Sequence, residues 1–88
     1  MYSLEFKVGV ERTLQNLAKK NRKEMEIIEK KIAQILMDPY HFKSLRKPMA
    51  NKRRVHIVNS MVLVYKIDEA RKTVVIHDYD HHDNIYKK

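Results

Sequence analysis

The sequence predicts an α+β domain of order β-α-α-β-β-β, with a helical hairpin packed on one face of a mostly antiparallel, twisted sheet. Three observations carry this. Apolar residues recur at the helical period from Val10 to Leu36, they change after Arg54 to runs rich in Val, Ile and Tyr, and short polar turns separate those runs. The 88 residues show no repeat, low-complexity tract or break in composition, so residues 1–88 are read as one domain.

Each element has its own signature. Leu4, Phe6 and Val8 alternate with Ser3, Glu5 and Lys7, which is the period of a half-buried first strand. After Gly9, the residues Val10, Leu14 and Leu17 mark a first helix, and the polar stretch Lys19, Lys20, Asn21 interrupts it. From Arg22 to Asp38, Met25, Ile28, Ile32, Ile35 and Leu36 form one apolar stripe with Glu and Lys on the remaining face. Asp38 and Pro39 should end this second helix, because proline disfavours helical geometry in the residue before it. Arg54 to Val58, Met61 to Ile67 and Thr73 to Tyr79 then read as three strands joined by short hairpins. The sheet face away from the helices is expected to stay open. The last strand leads into a loop that returns over that face, and Lys87 and Lys88 read as a free tail.

Composition narrows the function. Without cysteine, neither a disulfide framework nor a thiolate metal site is available, and a reducing, cytoplasmic setting fits. No window approaches the roughly 20 apolar residues of a membrane span, and the first ten residues lack the apolar run of a secretory signal. A formal charge of +8 points to a polyanionic partner, either nucleic acid or an acidic protein. Between Pro39 and Arg54 lie Lys43, Arg46, Lys47, Lys52, Arg53 and Arg54, with no acidic residue. Such a segment either lines a groove for phosphates, and so forms an RNA-binding flank, or is a solvated loop.

Two groups of residues could carry chemistry. Strand alternation puts Val55 and Ile57 on the helix side, which leaves Arg54 and His56 on the open face. There the arginine can hold a phosphate while the imidazole moves a proton near neutral pH. The run Asp80, His81, His82, Asp83, Asn84, Ile85, Tyr86 is the densest collection of titratable groups in the chain. Imidazole and carboxylate are common metal ligands, but no His-x-x-x-His pair or cysteine completes a site, so no metal or cofactor is expected. RNA cleavage by its own 2′-hydroxyl needs only a base, cationic stabilisation and an acid, which histidines and arginines supply. Tyr86 could stack on a base, donate a hydrogen bond, or close the edge of the core.

Several blocks together resemble the RelE/ParE toxin superfamily. Leu45-Arg46-Lys47, Arg53-Arg54-Val55-His56-Ile57, the strand Val62-Leu63-Val64-Tyr65-Lys66-Ile67-Asp68 and the terminal His81-His82-Asp83-Asn84-Ile85-Tyr86 follow the order and spacing of RelE-type toxins across almost the whole chain. The resemblance implies a RelE-like fold and a toxin of a type II toxin–antitoxin system. Such a toxin is a metal-independent endoribonuclease that enters the ribosomal decoding site, cuts mRNA and is neutralised by a cognate antitoxin wrapped around it. This chain departs from the family where His56 and His82 stand at positions that often hold arginine or lysine, and where Val62 replaces an arginine. The histidine-rich pattern is similar to the YafQ-like branch, which makes His56 and His82 the acid–base candidates, Arg54 the phosphate holder and Tyr86 the terminal aromatic. The base and the acid are not assigned between the two histidines. The alternatives are a ParE-like toxin that inhibits DNA gyrase without cleaving nucleic acid, which does not need the histidines, and an inactive module that binds only RNA or antitoxin, which the replacement at Val62 supports.

Overall fold

The computed structural model describes residues 1–47 and 51–87. Along the chain run β1 (Ser3–Phe6), α1 (Val8–Lys20), α2 (Arg22–Met37), β2 (Lys52–His56), β3 (Met61–Asp68), β4 (Thr73–His81) and α3 (His82–Lys87). The four strands form one sheet in the order β1-β4-β3-β2, parallel between β1 and β4 and antiparallel elsewhere. This is the expected α+β architecture with one helix added at the end. None of the described helices is long and apolar enough to cross a membrane.

The apolar stripes behave as their periods require. Val10 and Leu14 of α1 and Ile28, Ile32 and Ile35 of α2 pack on Val55, Leu63, Tyr65, Val74, Ile76 and Tyr79 from one sheet face. Ile76 and Tyr79 are three residues apart, which would put them on opposite faces of a regular strand. A register shift between Val64 and Tyr65 resolves this, since Val64 pairs with Asp78 and Tyr65 with Ile76. His77 is the extra residue of that bulge, and both Ile76 and Tyr79 reach the helices.

Asn21 separates the two helices and starts the second. Its N–H bonds the Leu17 carbonyl at 2.8 Å, and its side chain accepts the Glu24 N–H at 3.1 Å, so one residue satisfies orphan groups of both helices. The Tyr79 hydroxyl donates to the Glu24 carboxylate at 2.5 Å and ties the hairpin tip to β4. Burial first, and this carboxylate second, push the Tyr79 phenol far above its usual range. After α2 the Tyr65 hydroxyl donates to the Pro39 carbonyl at 2.6 Å, and burial pushes that phenol up to about 12.

Several boundaries differ from the sequence reading. Val8 begins α1 rather than ending β1 and is 78% exposed, and Gly9 lies inside the first turn of that helix. β2 starts two residues early, at Lys52, and stops at His56, so Val58 belongs to the turn; β4 runs on to His81. The larger correction concerns the open face. Val62 and Val64 are apolar there and need cover, which comes from Leu45 and from Ile85 of α3, making a second small core. The expected returning loop is therefore a helix that includes Lys87, while Lys88 lies outside the described residues.

Candidate functional site

Three stretches of chain meet on the face away from the helical hairpin. Residues 43–45 run along the free edge of β2: the Leu45 N–H bonds the Lys52 carbonyl at 2.8 Å and the Arg54 N–H bonds the Lys43 carbonyl at 3.1 Å. From the other side α3 folds back over β3. Its first residue is held by the His82 N–H bonding the Ser60 carbonyl at 2.6 Å, and Ile85, 3% exposed, plugs onto Val62 and Val64. A groove of 460 Å³ remains between them, lined by Lys43, Ser44, Leu45, Arg46, Arg54, His82 and Tyr86.

The short helix owes its direction to the end of β4. Asp80 accepts from the Asn84 side chain at 3.0 Å, and His81 Nδ1 accepts the Asp83 N–H at 3.2 Å, which requires the His81 proton to sit on Nε2. With six residues α3 cannot persist without such anchors. Once held, it sets His82 and Tyr86 one turn apart on the same side, with ring centroids 4.5 Å apart. The Arg54 guanidinium lies 5.9 Å from the Tyr86 centroid, so a cation, an imidazole and a phenol share one wall. His82 Nδ1 lies 3.5 Å from the Asp83 carboxylate.

The residues singled out in the sequence divide into three sets. Arg54, His82 and Tyr86 line the groove together with Lys43 and Arg46. His56 is exposed on the same face as Arg54, roughly 7 Å further along β2, and does not line the groove. Lys52 also shares that face, where it stands directly opposite Lys66, and Lys47 is exposed beyond the rim. Arg53 goes elsewhere. It pairs in register with Tyr65 and donates from Nη1 to the Phe42 carbonyl at 2.7 Å, with its guanidinium over the Tyr40 ring. That geometry fixes the loop after α2 instead of facing the groove.

Sequence reasoning missed Asp80 and Asn84 as the anchor of the site and Ser44 and Leu45 as part of its wall. The i,i+4 spacing of His82 and Tyr86 with apolar Ile85 between them was the available sign of a helix. On β4, His77 is held below the usual histidine range by burial first and then by the nearby Lys52, Lys7 and Lys66 charges. Among the described residues no three His, Asp or Glu side chains gather to hold a metal ion.

Fold and groove together define a small basic α+β domain whose C-terminal helix builds one wall of its own cleft. No family model matches the chain. The candidate toxin RelE4 of Methanocaldococcus jannaschii is 47% identical over 88 residues, which is 100% of this chain and 94% of that protein. The YoeB/ParE toxin from Agrobacterium tumefaciens superposes with a TM-score of 0.82 at 14% identity, covering 91% of this chain and 98% of the other. A chain of the RelBE2 toxin–antitoxin complex from Mycobacterium tuberculosis superposes at 0.73 with 26% identity, covering 91% and 96%. The chain belongs to the RelE/YoeB/ParE toxin superfamily.

Proposed function

We propose that this protein is the toxin of a toxin–antitoxin system and acts in the cytoplasm as a metal-independent endoribonuclease on ribosome-bound mRNA, held inactive by a cognate antitoxin. The observation that carries the reading is the meeting of Arg54, His82 and Tyr86 in one basic groove, in a chain of this superfamily. A single RNA strand fits such a site. Lys43 and Arg46 take its phosphates, Tyr86 offers a ring for a base, and Lys47 and Lys52 continue the charge beyond the groove.

In the reaction the 2′-hydroxyl oxygen attacks the adjacent phosphorus and loses its proton to a base, while the bond from phosphorus to the 5′-oxygen breaks and that oxygen takes a proton from an acid. The products are a 2′,3′-cyclic phosphate and a 5′-hydroxyl. Arg54 offsets the charge that develops on the phosphorane oxygens. His82 stands in the groove as one proton carrier, and His56, on the same face of β2, serves as the second when the strand is bound. The reading of both histidines as proton carriers is what supports a likeness to the YafQ-like members of the superfamily.

The test expresses the parent, His56→Ala, His82→Ala and Arg54→Ala without antitoxin and maps mRNA ends on ribosomes, with a parallel reaction containing chelator. Each loss should lower the cleavage rate by about 10²- to 10⁴-fold, with cyclic phosphate ends in the parent. Cleavage that persists in both folded histidine variants would overturn the assignment. Growth arrest by the parent with no new RNA ends would favour a gyrase-directed toxin.

A further inference from the structure

The positive charge of this chain is concentrated in two places. Six of the nineteen Lys and Arg lie between residues 39 and 54, and four more, Lys19, Lys20, Arg22 and Lys23, lie between residues 17 and 23; neither segment contains an acid. The other nine stand against all eleven Asp and Glu, so outside the two segments the chain is slightly acidic. The first segment flanks the groove. The second is the tip of the α1–α2 hairpin, where all four cations are exposed.

Among the described residues these four cations have no charged or aromatic partner. The acid beside them, Glu24, has its carboxylate engaged by Tyr79 and Asn21. Lys19 and Lys20 suit the negative end of α1, but Arg22 and Lys23 sit in the first turn of α2, at the positive end of its dipole, where a cation is unfavourable. Folding alone would not select them. The Glu24–Tyr79 bond also fixes where the tip stands: beside the end of β4, three residues before His82 enters the groove.

We propose that Lys19, Lys20, Arg22 and Lys23 form a second RNA-contact surface, which takes the phosphate backbone of a folded, double-stranded RNA while the groove takes a single strand. The proposal rests on the reading of the groove as an RNA site. Two features choose the ligand. Residues 19–23 include no aromatic ring on which an unpaired base could stack, so the tip suits phosphates and not bases. Among the described residues the exposed large apolar side chains are Met1, Val8, Met37, Tyr40 and Tyr86, none of them at the tip, so residues 19–23 present charge to a partner and no large apolar anchor of their own.

The experiment measures binding of the full chain to a blunt RNA duplex, to a single-stranded RNA and to a poly-glutamate peptide over a range of salt concentrations. The proteins are the parent, Lys19→Gln/Lys20→Gln/Arg22→Gln/Lys23→Gln, the pair Arg22→Gln/Lys23→Gln and Arg54→Ala. Losing the four tip cations should reduce the log–log salt slope for the duplex by roughly 3 to 4, and losing the pair by about half of that. The pair variant should melt no lower than the parent, which separates lost contact from lost folding. An unchanged duplex slope in the folded variants overturns the proposal. So does loss of poly-glutamate binding with duplex binding intact, which would assign the tip to an acidic protein. Failure of the groove reading looks different: Arg54→Ala would then leave single-strand binding unchanged while the tip variants still lower the duplex slope.

Discussion

Replacing Ile85 by alanine tests whether the groove depends on a docked C-terminal helix. Ile85 is 3% exposed, and its neighbours are Leu45, Val62 and Val64, a satellite core separate from the main one. Truncating a buried Ile to Ala typically costs about 2 to 5 kcal/mol. Here α3 lies at the edge of the molecule and can relax into the space, which puts the loss near the lower limit, about 2 kcal/mol or roughly 30-fold in the ratio of docked to undocked helix. The polar anchors, Asn84 to Asp80 and His82 to Ser60, remain. Amide hydrogen exchange reads the outcome directly. The Ile85 and Tyr86 amides, the first in α3 that can donate within the helix or to its cap, should exchange about 30-fold faster. The 4.5 Å His82–Tyr86 contact should loosen with them, visible as averaged ring shifts. Unchanged exchange at both amides would refute the reasoning, because α3 would then be held by something other than Ile85.

Other consequences are equally direct. Arg53→Ala should destabilise the fold by about 1.5 to 3 kcal/mol, since it removes a charge-assisted hydrogen bond to the Phe42 carbonyl; in urea melts and salt titrations its stability should fall while the RNA salt slope stays constant. Tyr65→Phe leaves the buried Pro39 carbonyl without its 2.6 Å donor and should cost about 1 to 3 kcal/mol by thermal melting. His77 is held below its ordinary value of 6.5 by burial and by Lys52, Lys7 and Lys66, with Asp78 opposing. The unfolded chain therefore binds a proton first as pH falls below 6.5, and this contribution to stability, fully present above that value, is lost as pH drops through the folded pKa. Melts of the parent and His77→Gln from about pH 5 to 8 should converge at the alkaline end and differ in slope at the acid end; parallel curves would contradict the assignment.

Much of this protein was legible in its residues. The stripe from Met25 to Leu36 fixed the long helix and its buried face, because a 3.6-residue period admits one apolar side. The Val, Ile and Tyr runs fixed the strands, alternation put Arg54 away from the helices, and the acid-free segment from Pro39 to Arg54 marked the flank of the groove. Tertiary contacts decided the rest. Arg53 and Arg54 are neighbours of equal charge, yet strand geometry sends one to the Phe42 carbonyl and the other to Tyr86, and only the paired register says which. The run from His82 to Lys87 is too short to be a helix on local propensity; it becomes one because Val62 and Val64 leave an apolar patch that Ile85 covers. His56 and His82 looked equivalent in the chain, but α3 carries only His82 into the groove. Side-chain period is a local property that a sequence carries in full, whereas the meeting of β2, residues 43–45 and α3 depends on which surfaces remain uncovered after the sheet has formed.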